Sequence, residues 1–426
     1  MKFRSSVFAI ALLSLFSCSS DSGTGTNSGM NNDPGMNMNA GMSEEITDNT
    51  GMGASLEESA ELLDSTTVAI PTGLENASSA YWYDYPMTSV TGATITARAQ
   101  LFEPMGTAPA DGFPTVVWAH GTTGIANACT PSNSFEDFGN AVAINGLLSA
   151  GYAVIAPDYE GFGASQIHPY YVRASHSQAV LASIPAAHQI PDTQLSDDWA
   201  VVGHSQGGHV ALATARAGQL PSYPLQAVVA LAPGTDLKPF SDRAFEAIDL
   251  AIANGELEEA GNRTFYMNVY GAFVAHALQL VNPEFDAASL FGDTMDPLID
   301  TALDESYCGE YAQSVAAAIR QHVFNAGESI ATFDGLKRDW YNDPLVEAHL
   351  NIEMFGDESQ SMPLLIVQGD ADQQVPVAAT TAFVDQQRAL GTDVTYQIIS
   401  GARHGDVGRS EFNRTLEWLS EKFPPQ

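Results

Sequence analysis

One octet decides what this chain can fold into: Val201-Val202-Gly203-His204-Ser205-Gln206-Gly207-Gly208. The apolar run Asp198-Trp199-Ala200-Val201-Val202 before it is of strand type, and the alanine-rich Val210-Ala211-Leu212-Ala213-Thr214-Ala215 after it is of helix type. A strand that turns so abruptly into a helix leaves no room for side chains on the inside of the bend. Glycine at 203 and 207 removes the Cβ atoms that would collide, and Ser205 is forced into a strained backbone geometry. Its hydroxyl then stands alone at the C-terminal edge of a parallel sheet. The helix that follows aims its N-terminal dipole at the same place, which favours a developing negative charge. In a chain with 36 glycines the Gly-x-Ser-x-Gly pattern alone is weak. The flanking strand and helix give it the form of a nucleophile elbow.

The start of the chain is of another kind. Met1-Lys2-Phe3-Arg4 is basic, and residues 7–16 are apolar but too short to span a bilayer stably, so residues 1–18 are expected to be an export signal. Residues 19–60 are rich in Gly, Met and Asn, with Gly29-Met30, Gly35-Met36 and Gly41-Met42 recurring at a fixed interval. Such a tract cannot bury a core and is expected to be a disordered tether. Globular composition begins at about residue 61 and leaves enough chain for one large domain with an insertion, or two domains. With 51 acidic and 16 basic residues the net charge is −35, which excludes electrostatic binding of nucleic acid as a main activity.

Strand-type and helix-type runs then alternate. The segment 94–102 alternates in polarity and belongs to an opening antiparallel part. Apolar strands are expected at 115–119, 153–158, 198–202, 227–231, 363–368 and 394–399, with helices near 138–148, 177–187, 378–390 and 410–423. This is an α/β pattern: a mostly parallel central sheet covered by helices on both faces. The alternation stops between residues 238 and 358. There the helical runs 244–253, 265–280 and 311–326 occur without a clear strand. We expect an inserted helical cap at 238–358 on a core made of 61–237 and 359–426. A second, purely structural helical domain is the alternative.

A nucleophilic serine needs a base, and the base needs an orienting acid. Past the strand at 363–368 comes Gly369-Asp370-Ala371-Asp372-Gln373-Gln374-Val375-Pro376, with two carboxylates; Asp372 is the better placed and Asp370 the runner-up. Past the last strand comes Ser400-Gly401-Ala402-Arg403-His404-Gly405. Of ten histidines, His404 alone falls in that loop. His204 and His209 flank the serine but are expected to point off the elbow, and His168, His176, His188, His276, His322 and His349 have no partner readable from sequence. The order is therefore Ser205, Asp372, His404.

At this point the chain resembles the α/β-hydrolase superfamily, whose nucleophile–acid–base order this is. More narrowly it is similar to the secretory lipase family of the Candida antarctica lipase A type. The segments that carry this are Trp118-Ala119-His120-Gly121-Thr122-Thr123-Gly124 with Cys129-Thr130-Pro131-Ser132 after it, Gly151-Tyr152-Ala153-Val154-Ile155-Ala156-Pro157-Asp158-Tyr159-Glu160-Gly161-Phe162-Gly163, the elbow, and the helical insertion before the acid loop. The His120-Gly121 pair departs from the fungal type and leaves the chain-length preference open. The resemblance implies ester hydrolysis through an acyl-enzyme at Ser205, His404 and Asp372, with the backbone N–H groups of Thr122 and Gln206 as oxyanion donors. It implies no metal or organic cofactor, an ester or acylglycerol substrate, and a cap that supplies an apolar pocket; a monomer is expected. Leu15-Phe16-Ser17-Cys18 resembles a bacterial lipobox, implying lipidation of Cys18 and a membrane contact through that anchor only, with a secreted form as the alternative. Cys129 would then pair with Cys308, since Cys129 follows the oxyanion segment at a position that the lipase family bridges to its cap. Two other classes remain open: a serine peptidase or amidase on the same fold, and a surface binding protein that has lost activity.

Overall fold

A computed structural model of the protein describes Glu57 and residues 60–425, apart from 134–139, 164–166, 218–219, 306, 326 and 356–357. The expected signal segment with Cys18, and all of the expected tether except Glu57 and Ala60, lie outside the described residues.

The strands are β1 (Asp64–Thr67), β2 (Ala77–Thr88), β3 (Thr94–Pro104), β4 (Phe113–Ala119), β5 (Ala153–Pro157), β6 (Leu195–His204), β7 (Leu225–Leu231), β8 (Leu364–Gly369) and β9 (Val394–Ile399). They form one nine-stranded sheet in the order β1-β2-β3-β5-β4-β6-β7-β8-β9. The β1–β2, β2–β3 and β3–β5 pairs are antiparallel, and every pair from β5 through β4 to β9 is parallel. The central strands are apolar throughout because both their faces are covered: all seven residues of β4 are buried. Successive side chains alternate between the faces. Val117, Val201, Val228 and Ile366 pack on one side against Val180, Leu181 and Ala211. Val116, Val202, Val229 and Leu365 pack on the other against Ile144, Leu147 and Leu419.

The helices that supply these layers are α1 (Asn140–Ser149), α2 (Arg173–Ala187) and α3 (Gln206–Arg216), then α8 (Val377–Ala389) and α9 (Asn413–Lys422) late in the chain. Between β7 and β8 lie α4 (Leu237–Asn254), α5 (Leu257–Val281), α6 (Glu310–Arg320) and α7 (Pro344–Ile352), with a single α-helical turn at Asp296–Ile299, short 3₁₀ turns and one isolated bridge, Phe291–Leu336. The run expected over 311–326 ends as an α-helix at Arg320 and continues as a π-type turn, Gln321–Asn325. These helices bury an apolar cluster of their own around Phe265, Phe273, Val274, Leu278, Tyr311 and Trp340.

The insertion is tied to the sheet at both ends. Asp236 Oδ1 accepts from the Phe355 N–H at 2.7 Å, so the chain leaves and re-enters the core at one point. Arg173, at the start of α2, donates to the carbonyls of Ile352, the last residue of α7, and of Met354 just past it, and its own N–H donates to Glu353 Oε2 at 2.6 Å. The third tie is covalent: Cys129 and Cys308 form a disulfide with Cα atoms 4.8 Å apart and a sequence separation of 179.

Candidate active site

Strand β6 runs between β4 and β7, and Ser205 follows its last residue. Ser205 has φ 59° and ψ −116°, a left-handed conformation that a side-chain-bearing residue adopts at a cost. Its N–H is held by the Leu231 carbonyl at 2.8 Å, and its carbonyl takes the His209 N–H at 3.2 Å to begin α3. The glycines explain why the bend closes. A Cβ on Gly203 would lie 1.9 Å from the Gly207 carbonyl oxygen, and one on Gly207 would lie 1.9 Å from the Ala119 carbonyl oxygen. No side chain fits at either place.

His404 is buried in the loop after β9. Its Nδ1–H donates to Asp372 Oδ2 at 2.7 Å, which leaves Nε2 as the lone-pair nitrogen. Asp372 is buried after β8, and its other oxygen accepts from the N–H groups of Gln374 and Val375 at 2.8 and 2.9 Å. Gln368 Nε2 donates to Oδ2 at 2.9 Å. Burial pushes the Asp372 carboxyl up, but its charge interaction and hydrogen bond with His404 and the N–H groups of Val375 and Gln374 outweigh that, and it lies below the usual carboxylate value. Asp370, the runner-up, is exposed and accepts from the Gly401 N–H at 2.6 Å; it shapes the turn before His404 instead.

His204 has a place that sequence did not show. Its Nε2–H donates to the His404 carbonyl at 2.8 Å, and the two rings lie 4.8 Å apart. The residue before the serine thereby fastens the histidine loop to the elbow. Burial, then the neighbouring His404, pulls the His204 imidazole down to about 3, so it stays neutral.

The segment after β4 passes beside the serine. A Cβ on Gly121 would be 3.7 Å from Ser205 Cβ, and the next residue, Thr122, is fixed by a 2.7 Å hydrogen bond between its hydroxyl and that of Tyr170. The loop after β5 props this segment from behind. Tyr159 Oη donates to the His120 carbonyl at 2.9 Å, and the Asp158 carboxyl accepts from the N–H and hydroxyl of Ser132 at 3.0 and 2.6 Å. Gln206 is fully buried, with its side-chain nitrogen 2.6 Å from His168 Nε2 and 3.2 Å from His176 Nε2.

Two cavities meet here. One, about 310 Å³ with its open mouth, is lined by Thr122, Thr123, Phe265, Tyr266, Tyr270 and Phe273 among others. The second, about 590 Å³ with its open mouth, is lined by Tyr170, Tyr266, Met267, Tyr270, Trp340 and Gln374 among others. Tyr266 and Tyr270 stand in the wall of both. The closest group of metal-type side chains among the described residues is Cys129, Glu305 and Cys308, whose sulfurs are joined to each other.

A parallel sheet with a strained serine between β6 and α3, and a bonded His–Asp pair from the loops after β9 and β8, defines a class of hydrolase fold. Residues 116–411 match the Alpha/beta hydrolase family, and the chain belongs to that family. In sequence it is similar to a trichothecene C-3 esterase of Fusarium sporotrichioides, 26% identical over 313 residues. That match covers 70% of this chain and 63% of the relative's length. In structure it is similar to the rice cell wall degrading esterase LipA from Xanthomonas oryzae, with TM-score 0.65, 19% identity, and 85% and 98% of the two chains covered. It is also similar to Candida antarctica lipase A in its closed state, with TM-score 0.60, 16% identity, and 84% and 82% covered.

Proposed function

We propose that the protein is a serine carboxylic ester hydrolase acting through an acyl-enzyme. The observation that carries this is the 2.7 Å bond from His404 to Asp372, in the loops after β9 and β8, together with a serine held at φ 59° after β6 of the same sheet. In the reading, His404 Nε2 takes the Ser205 proton as the hydroxyl attacks the ester carbonyl. Asp372 fixes the tautomer and stabilises the imidazolium. The N–H groups of Thr122 and Gln206 receive the oxyanion, and losing one such donor costs about 3 kcal/mol of barrier. His404 then protonates the leaving alcohol, and water repeats the sequence to free the acid. All groups this needs are side chains and amides of the chain itself.

The aromatic cavities between α4, α5 and the oxyanion segment suit an apolar acyl or alcohol group. The esterase names of the relatives support the same reaction class. The test is a panel of p-nitrophenyl esters from acetate to palmitate, run beside a triglyceride emulsion and a peptide p-nitroanilide. Ester turnover well above anilide turnover is expected; preference for the anilide would replace the esterase reading with a peptidase one.

A further inference from the structure

His168 lies outside the expected triad, yet two of its atoms reach the two segments that supply the oxyanion donors, and a third anchors its ring. Its backbone N–H donates to the Ile125 carbonyl at 3.0 Å, three residues past Thr122. Its ring Nδ1 lies 2.8 Å from the Glu160 carbonyl oxygen, which can only accept, so Nδ1 carries the proton. In the neutral ring Nε2 is then an acceptor. That nitrogen is 2.6 Å from Gln206 Nε2, whose NH₂ must be the donor. This geometry also fixes which way the Gln206 amide faces, because the opposite orientation would set an oxygen against a lone pair.

The ring has no freedom to leave. His168 is completely buried, stacks on Phe162 with centroids 4.6 Å apart, and is crossed by Tyr170. Burial lowers its pKa to about 3, so it stays an acceptor throughout the neutral range. Tyr170 in turn holds the Thr122 hydroxyl. The side-chain hydrogen bonds described for Gln206 are those to His168 and His176, so what His168 fixes is the Gln206 residue itself, at the first turn of α3.

We propose that His168 is a positioning residue for the oxyanion site: it sets the spacing between the Thr122 and Gln206 segments by bonding to both. The proposal rests on the serine hydrolase reading. A donor misplaced by about 1 Å costs on the order of 100-fold in rate, because it is aimed at an oxygen that exists only in the transition state. Removing the acceptor should therefore lower kcat and leave KM nearly unchanged.

The experiment compares wild type with His168→Phe, His168→Gln, Gln206→Met and a Ser205→Ala control. It measures kcat and KM on one p-nitrophenyl ester, the inhibition constant of a trifluoromethyl ketone that forms an oxyanion adduct with the serine, and the unfolding temperature. His168→Phe and Gln206→Met are expected to lose roughly 10- to 100-fold in kcat and to weaken ketone inhibition by a similar factor. His168→Gln, whose side-chain oxygen can accept in place of Nε2, is expected to stay near wild type. Unchanged kcat and ketone affinity in Gln206→Met would overturn the proposal, as would equal losses in His168→Phe and His168→Gln. If His168→Phe does not fold, the contrast between Gln206→Met and His168→Gln decides. Ester turnover that survives in Ser205→Ala would instead bring down the hydrolase reading.

Discussion

Asp370 and Asp372 stand two residues apart, and sequence could only rank them. Both lie past the end of β8, where strand alternation no longer applies, and the turn separates them: one faces out to the Gly401 N–H, the other turns in to His404. Asp372→Asn should lose about 10³- to 10⁴-fold in kcat/KM on an ester at neutral pH, because an amide at that place favours the wrong imidazole tautomer. Asp370→Asn should lose a few-fold at most. A steady-state comparison of the two variants checks this, and equal losses would remove Asp372 from its role. Other residues were less legible. Ser205, Asp372 and His404 each follow a strand with a recognisable signature. His168, His176 and His204 take their meaning from loops that meet only in the folded chain, so their partners leave no local trace in the sequence. For His204 the expectation that it points off the elbow was incomplete: its ring lies against His404 and its Nε2 holds that residue's carbonyl.

Among elements, the parallel strands were readable because burial on both faces makes them uniformly apolar. Strands β1 and β2 were not. Strand β2 carries Asp84 and Pro86, which argue locally against a strand, yet Tyr83, Tyr85 and Met87 point inward at a period of two. Pro86 is tolerated because it lies past the last β1–β2 pair, Asp64 with Asp84, where β2 has become an edge. Buried tyrosines then find acceptors on α2: Tyr83 Oη donates to the Ser183 carbonyl at 3.0 Å and Tyr85 Oη to the Ala179 carbonyl at 2.8 Å.

The join between the helical insertion and the oxyanion segment yields a prediction at the same scale. The disulfide closes a loop long enough for roughly 5 kcal/mol of chain-entropy stabilisation, as an upper figure. Glu305 sits against it, with Oε2 3.1 Å from Cys129 Sγ. A disulfide sulfur has no proton to give, so a hydrogen bond here has the carboxyl as donor. Burial pushes Glu305 up to about 7, only partly offset by the N–H groups of Tyr311 and Gly309. Its folded value lies above its unfolded one. Its contribution is therefore fully present below about 4.5 and is lost as pH rises through 7. Glu305→Gln, which mimics the neutral form, should match wild type near pH 4 and unfold at a higher temperature than wild type at pH 8. Melting curves at the two pH values measure it, and a variant less stable at pH 8 would contradict the assignment.

At the scale of the molecule, the sheet is a frame whose C-terminal edge gathers four separate loops around one serine. The sequence order of the strands told which loops those are, because in a parallel sheet every strand delivers its following loop to the same edge. Sequence could not tell how the insertion meets that edge. Its helices form their own core, and only the folded chain shows Tyr266 and Tyr270 dividing the space next to Thr122. The proposed reaction requires Ser205 to be a nucleophile activated by His404. The most direct measurement is the mass and mapped position of the adduct formed with a fluorophosphonate, in wild type and in His404→Ala. One adduct per chain at Ser205, forming at least 100-fold more slowly in His404→Ala, on the order expected when the general base is lost, is the predicted result. No adduct, an adduct at another residue, or an unchanged rate without His404 would contradict the account.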